Sequence, residues 1–136
     1  MDIIVYNNIL DGMKEYNNQL DKNYGNTVVS TSPTSPTYPL TVFDEIRNVA
    51  NPSFNTMYER VSSVGYRADI YAKTKGKITK QTIARELSQK IDKYLTDYVG
   101  LTRVSFNVSE LENDASIYHI IMTYSGNLQE KRRKFI

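Results

Sequence analysis

The chain has 136 residues, no cysteine, one histidine and a formal net charge of +2, a length at the commonest size for one folded unit. The missing cysteines exclude disulfides, thiolate metal sites and thiol catalysis, and no apolar run approaches the roughly 20 residues that a helical bilayer span needs. Residues 1–57 carry three Lys/Arg against six Asp/Glu and residues 58–136 carry fourteen against nine, so the halves stand at −3 and +5; such asymmetry marks either a nucleic-acid or protein contact or, more commonly, solvated faces.

Met1 to Val5 lacks the basic start and long apolar stretch of a signal peptide, which predicts a cytosolic product. Eleven tyrosines stand against four phenylalanines and no tryptophan. Tyrosine joins a large apolar body to a polar tip and suits surfaces that become buried on assembly.

From Asp2 to about Lys22, Ile3, Tyr6, Leu10, Met13, Tyr16 and Leu20 recur at steps of three or four, the period of one helical face. Asp2 is placed to cap this helix and Gly25 to end it, while Gly12 lowers its propensity. Every residue from Ser30 to Thr37 is Ser, Thr or Pro. Such a stretch has nothing apolar to bury and predicts a loop, either disordered or ordered against a neighbouring subunit.

Pro39 to Val49 predicts a strand with Leu40, Val42 and Ile46 on one side and Thr41, Glu45 and Arg47 on the other, followed by a turn at Asn51 to Ser53. Met57 to Lys73 again reads as extended, most clearly where Tyr66, Ala68, Ile70 and Ala72 alternate with Arg67, Asp69, Tyr71 and Lys73. Thr79 is placed to cap a helix whose stripe is Ile83, Leu87, Ile91, Leu95 and Tyr98, with Gly100 ending it. Two closing strands follow, with Val104, Phe106 and Val108 facing inward on the first and Tyr118, Ile120, Met122 and Tyr124 on the second. The acidic stretch Glu110 to Asp114 joins them as a hairpin. The expectation is an α+β fold: an antiparallel sheet of about four strands with two helices packed on one face, in the order α-β-β-α-β-β. It is read as one domain over residues 1–136, with a flexible loop at 30–37 and a basic tail at 127–136.

The residues offer little for catalysis. His119, mid-strand, faces away from Tyr118, Ile120 and Met122, which fits a packed or interface histidine; the rival is an acid–base pair with Glu112 or Asp114. Lys75, Gly76 and Lys77 ahead of the Thr79 helix are the nearest approach to a phosphate loop, and a solvated basic turn is the commoner meaning. The run from Glu130 to Lys134 either meets DNA phosphates nonspecifically or is a tail that is solvated or lies on a neighbour. No catalytic, cofactor or metal residue is assigned. Phe135 and Ile136, apolar at the end of a charged tail with no evident place in the core, are the candidate oligomer or docking contacts, together with Arg132 and Arg133.

With that element order in place, the stretch from Tyr38 to Gly126 resembles the tail-terminator, or tail-completion, proteins of long-tailed bacteriophages. The carriers are Tyr38-Pro39 entering a strand, the extended Glu59 to Ala72, the Ile83 to Tyr98 helix ended by Gly100, Leu101 to Arg103, and the Tyr118 to Tyr124 strand followed by Ser125 and Gly126. The Ser/Thr/Pro loop and the basic tail depart from that pattern. The resemblance implies a non-enzymatic subunit without cofactor that closes into a ring, usually a hexamer, on the finished tail tube. That ring stops polymerisation and meets the head connector. Its implied partners are further copies of itself, the tail tube protein and the head connector protein, with any contact to the DNA passing through being nonspecific, and no membrane. Its implied place is the virion tail or neck, after assembly in the host cytoplasm. A head–tail joining or other neck subunit is the nearest alternative, and a small phage-encoded enzyme or nucleic-acid binder is the alternative of another class.

Overall fold

The apolar stripe of the second predicted helix is where the core begins. In the computed structural model, whose described residues are 3–20, 27–31, 37–50, 61–110, 116–129 and 133–136, α2 runs Lys80–Lys93 and passes into a π-helical turn Tyr94–Val99. Thr79 caps it by accepting from the Thr82 amide, and Gly100 closes it at φ 91°, a left-handed conformation that glycine adopts without steric cost. Ile83, Leu87, Ile91 and Leu95 are fully buried. Tyr98, expected on the same stripe, is exposed. The wider π turn breaks the 3.6-residue period there and rotates Tyr98 off the buried face.

The remaining elements are α1 (Ile3–Leu20), β1 (Thr27–Val29), β2 (Leu40–Ala50), β3 (Val61–Lys73), β4 (Thr102–Glu110), β5 (Ile117–Gln129) and β6 (Lys134–Phe135). The spatial order is β1-β2-β3-β5-β4, with β6 added on β5. The expected four-stranded sheet with helices on one face is corrected by this arrangement: six strands form one sheet curled into a half-barrel accompanied by two helices. The order is also different, α-β-β-β-α-β-β-β. Two physical reasons account for it. β1 and β6 are three and two residues long, too short to show an alternation. β3 and β5 are thirteen residues each and paired along their whole length, and long strands accumulate twist that curls a sheet.

The core face carries Phe43 from β2, Tyr66, Ala68, Ile70 and Ala72 from β3, and Ile120, Met122 and Tyr124 from β5, packed with the α2 stripe. Val5, Ile9, Leu10 and Met13 add the buried face of α1. Tyr6, Phe43 and Tyr66 stack on one another with centroids 5.4–6.4 Å apart, and Tyr6 donates to the Phe43 carbonyl. Tyr66 and Tyr124 are thus core residues, so part of the tyrosine content serves the interior.

On β2 the side facing the core is that of Thr41 and Phe43, because Phe43 lies opposite Ala68 and Thr41 opposite Ile70. Two further expectations change. On β4, Val104, Phe106 and Val108 are 66%, 37% and 44% exposed. β4 is the last strand of the sheet, and α2 packs on β3 and β5. The tail begins later than residue 127, since Asn127 to Gln129 extend β5. The predicted turn at 51–53, the caps Asp2 and Gly25, residues 32–36 of the loop, and 111–115 of the hairpin connection lie outside the described residues.

Candidate assembly interface

Alternating apolar residues make β4 a strand, yet no described strand pairs with its outer edge, and Val104, Phe106 and Val108 stay 66%, 37% and 44% exposed. Phe106 lies opposite Met122 and Val108 opposite Ile120, so their side chains prolong the core surface into solvent. The register shifts between Arg103 and Ser105, leaving Val104 as a bulge. The Arg103 guanidinium sits 5.7 Å from the Phe106 ring centre and 3.4 Å from Asp92 Oδ2. Asp92 also accepts from the Tyr124 hydroxyl at 2.7 Å. Burial, the hydrogen bond to Asp92 and the Asp92 charge all push the Tyr124 phenol far above its ordinary range. A long edge strand with apolar side chains is a template for pairing with another chain.

The opposite rim of the sheet is also open. β1 covers β2 only over Leu40 to Val42, and beyond Phe43 no described strand lies outside β2. This segment has its own bulge between Glu45 and Arg47, and Ile46 and Val49 are exposed. Arg47 donates to Ser63 at 2.9 Å and Asn48 to Glu45 at 3.1 Å.

The predicted docking residues separate. Arg132 lies outside the described residues, and Arg133 is exposed with φ 49°. Phe135, expected to lack a place in the core, is half-buried: it packs edge-on to Tyr66 at 6.5 Å and against Gly126, where a Cβ would meet its ring. Ile136 is anchored by its amide to the Asn127 carbonyl at 2.9 Å while 61% of its surface stays exposed. Phe135 also walls an open cleft of about 390 Å³ with Val5, Ile9, Tyr94, Tyr98 and Val99.

On the face of β3 and β5 away from the helices, Arg67 forks onto Asp69 with two contacts of 2.9 Å. His119 Nε2 stands 2.8 Å from Asp69 Oδ1, and Tyr71 stacks on the imidazole at 4.2 Å. Burial raises the Asp69 carboxyl, but the hydrogen bonds and charges of His119 and Arg67 outweigh it and hold it below its ordinary range. An ionised carboxylate only accepts, so the proton is on Nε2. Nδ1 is buried without a hydrogen-bond partner among the described residues. The proposed mates Glu112 and Asp114 lie outside the described residues. At the basic turn, Lys75 and Ile78 bridge around Gly76, and Thr74 and Thr79 already accept from the amides of Lys80 and Thr82.

The fold is shared with a chain of a virion. That chain comes from the virion of native gene transfer agent (GTA) particle, with a TM-score of 0.53 and 9% sequence identity over 92% of this chain and 91% of that chain. At that identity the likeness is one of fold. No family model and no curated protein matches this sequence. The sequence resemblance to phage tail proteins therefore meets a structural likeness at the coarser level of a virion chain.

Edge strands as an assembly surface were expected from the sequence, but β2 and β4 were not identified as those edges, and Val104, Phe106 and Val108 were read as inward. Asp69, fifty residues from His119, was not foreseen as its partner.

Proposed function

We propose that this protein is a structural subunit of a phage-like virion that closes into a ring, of six copies by the resemblance to tail terminators, on the head-side end of the tail tube. There it ends tube polymerisation and presents a surface to the head connector. The observation that carries this reading is the likeness of fold, along nearly the whole of both chains, to a chain of a virion. The open rims of the sheet supply what ring closure needs: two different patches on one subunit, each able to meet the other on the next copy.

The role is structural rather than catalytic. His119, the one histidine, is 5% exposed, tied to Asp69 and covered by Tyr71, which keeps a substrate away from the group best suited to exchange protons near neutral pH. Ile136 is the terminal docking residue of choice, because Phe135 is engaged within the subunit. Contact of Lys73, Lys75 and Lys77 with DNA threading the ring is nonspecific and electrostatic.

Removal of the gene from a particle-producing strain, followed by electron microscopy of the products, tests the reading. Tails of uncontrolled length, or tails without heads, are the expected outcome. Normal length with heads and tails apart would point to a neck or joining subunit instead, and normal particles would overturn the proposal.

A further inference from the structure

Resting on the ring reading above, the geometry points to the way the ring closes: we infer that the outer edge of β4 in one copy pairs, antiparallel, with the outer edge of β2 from Asp44 to Ala50 in the next copy. Polarity is the first argument. β2 is antiparallel to β3, β3 to β5, and β5 to β4, so the two rims of the sheet run in opposite directions. Copies related by rotation about an axis roughly along the strands therefore present β4 to β2 as an antiparallel pair, and the alternation of the sheet continues across the junction. Antiparallel pairing lets both edges satisfy their outward amides and carbonyls with near-linear bonds.

Side-chain chemistry is the second argument. Both rims hold exposed apolar residues, Phe106 and Val108 on the helix side of β4 and Ile46 and Val49 on the other side of β2, and each set loses water contact against the strand it meets. β2 carries the carboxylates Asp44 and Glu45, and β4 carries Asn107, Ser109 and the Arg103 cation, which already pairs with Asp92. Each rim has one bulge, at Ile46 and at Val104. A bulge bars a strand edge from pairing with arbitrary partners, so only a mate of matching shape is accepted. A two-fold β4–β4 contact would use one rim twice and leave the other open on both copies; the head-to-tail contact uses each rim once and closes.

The absence of cysteine makes the test clean, because every thiol is an introduced one. Ile46→Cys and Asn107→Cys, both exposed and both on the face of the sheet away from the helices, are made singly and together and treated with a short bismaleimide under conditions where native mass spectrometry monitors the rings. The inference predicts a covalent dimer when the two single variants are mixed, little self-linking by either alone, and for the double variant a ladder of multimers that stops at the copy number of the ring. Self-linking of one single variant with no product in the mixture would overturn it in favour of two-fold pairing. Rings without any cross-link would overturn the edge pairing and leave the ring reading standing. Neither rings nor cross-links, with or without tail tubes added, would overturn both.

Discussion

The hydroxyl of Tyr94 occupies the space directly over Gly12, where a Cβ on α1 would overlap it. The same hydroxyl reaches the Ile9 carbonyl at 3.4 Å, so the π-helical turn is seated on α1 at the one position without a side chain. Gly12→Ala raises helix propensity by about 1 kcal/mol in an exposed helix, yet overpacking here costs about 1–3 kcal/mol and wins. The expected result is a lower denaturant midpoint for Gly12→Ala and partial recovery in Gly12→Ala/Tyr94→Phe, which removes the colliding oxygen.

Asp69 sets the acid limb of stability. Its carboxyl is held below its ordinary range in the folded chain. Its contribution is therefore present above about pH 3.9, the unfolded value, and is lost as pH falls through the lower folded-state value. Urea midpoints measured from neutral pH down to strong acid should fall for the native chain below that point. Asp69→Asn should be less stable at neutral pH and should lose less on acidification; parallel curves for the two proteins would contradict the assignment.

Tyr124 acts at the other end of the scale. Its phenol is raised by burial and by Asp92, so its contribution is present below about pH 10, the unfolded value, and declines as pH rises above it toward the higher folded-state value. Tyr124→Phe should cost about 1.5–3 kcal/mol at neutral pH, the range for a hydrogen bond to a charged group. The difference between the two proteins should shrink in alkaline urea titrations.

What the sequence disclosed depended on how local the cause was. The Thr79 cap, the Ile83 to Leu95 stripe and the Gly100 stop are set within a few residues of each other, and each is where the pattern placed it. The strand character of β2, β3, β4 and β5 was likewise legible from their alternation. Which face of β2 meets the helices was not: Leu40, Val42 and Ile46 on one side and Thr41, Glu45 and Arg47 on the other left it open, and pairing with β3 puts Thr41 and Phe43 there. Val104, Phe106 and Val108 looked like core because the alternation is that of a half-buried strand, and only the sheet order shows that β4 is the last strand, beyond β3 and β5 on which α2 packs. The Asp69–His119 pair depends on the register of two strands separated by α2 and β4, which no local pattern encodes. Tyr98 followed the helical stripe by spacing and left it because the last turn widens.

The proposed closed ring at the head-side end of a tail tube can be seen directly. Cryo-electron microscopy of whole particles, at a resolution that traces the backbone, is the decisive measurement. A single ring of this chain between tube and connector, with β4 of each copy beside β2 of the next, is the expected result. A chain absent from the particle, or present there without ring symmetry, would contradict it.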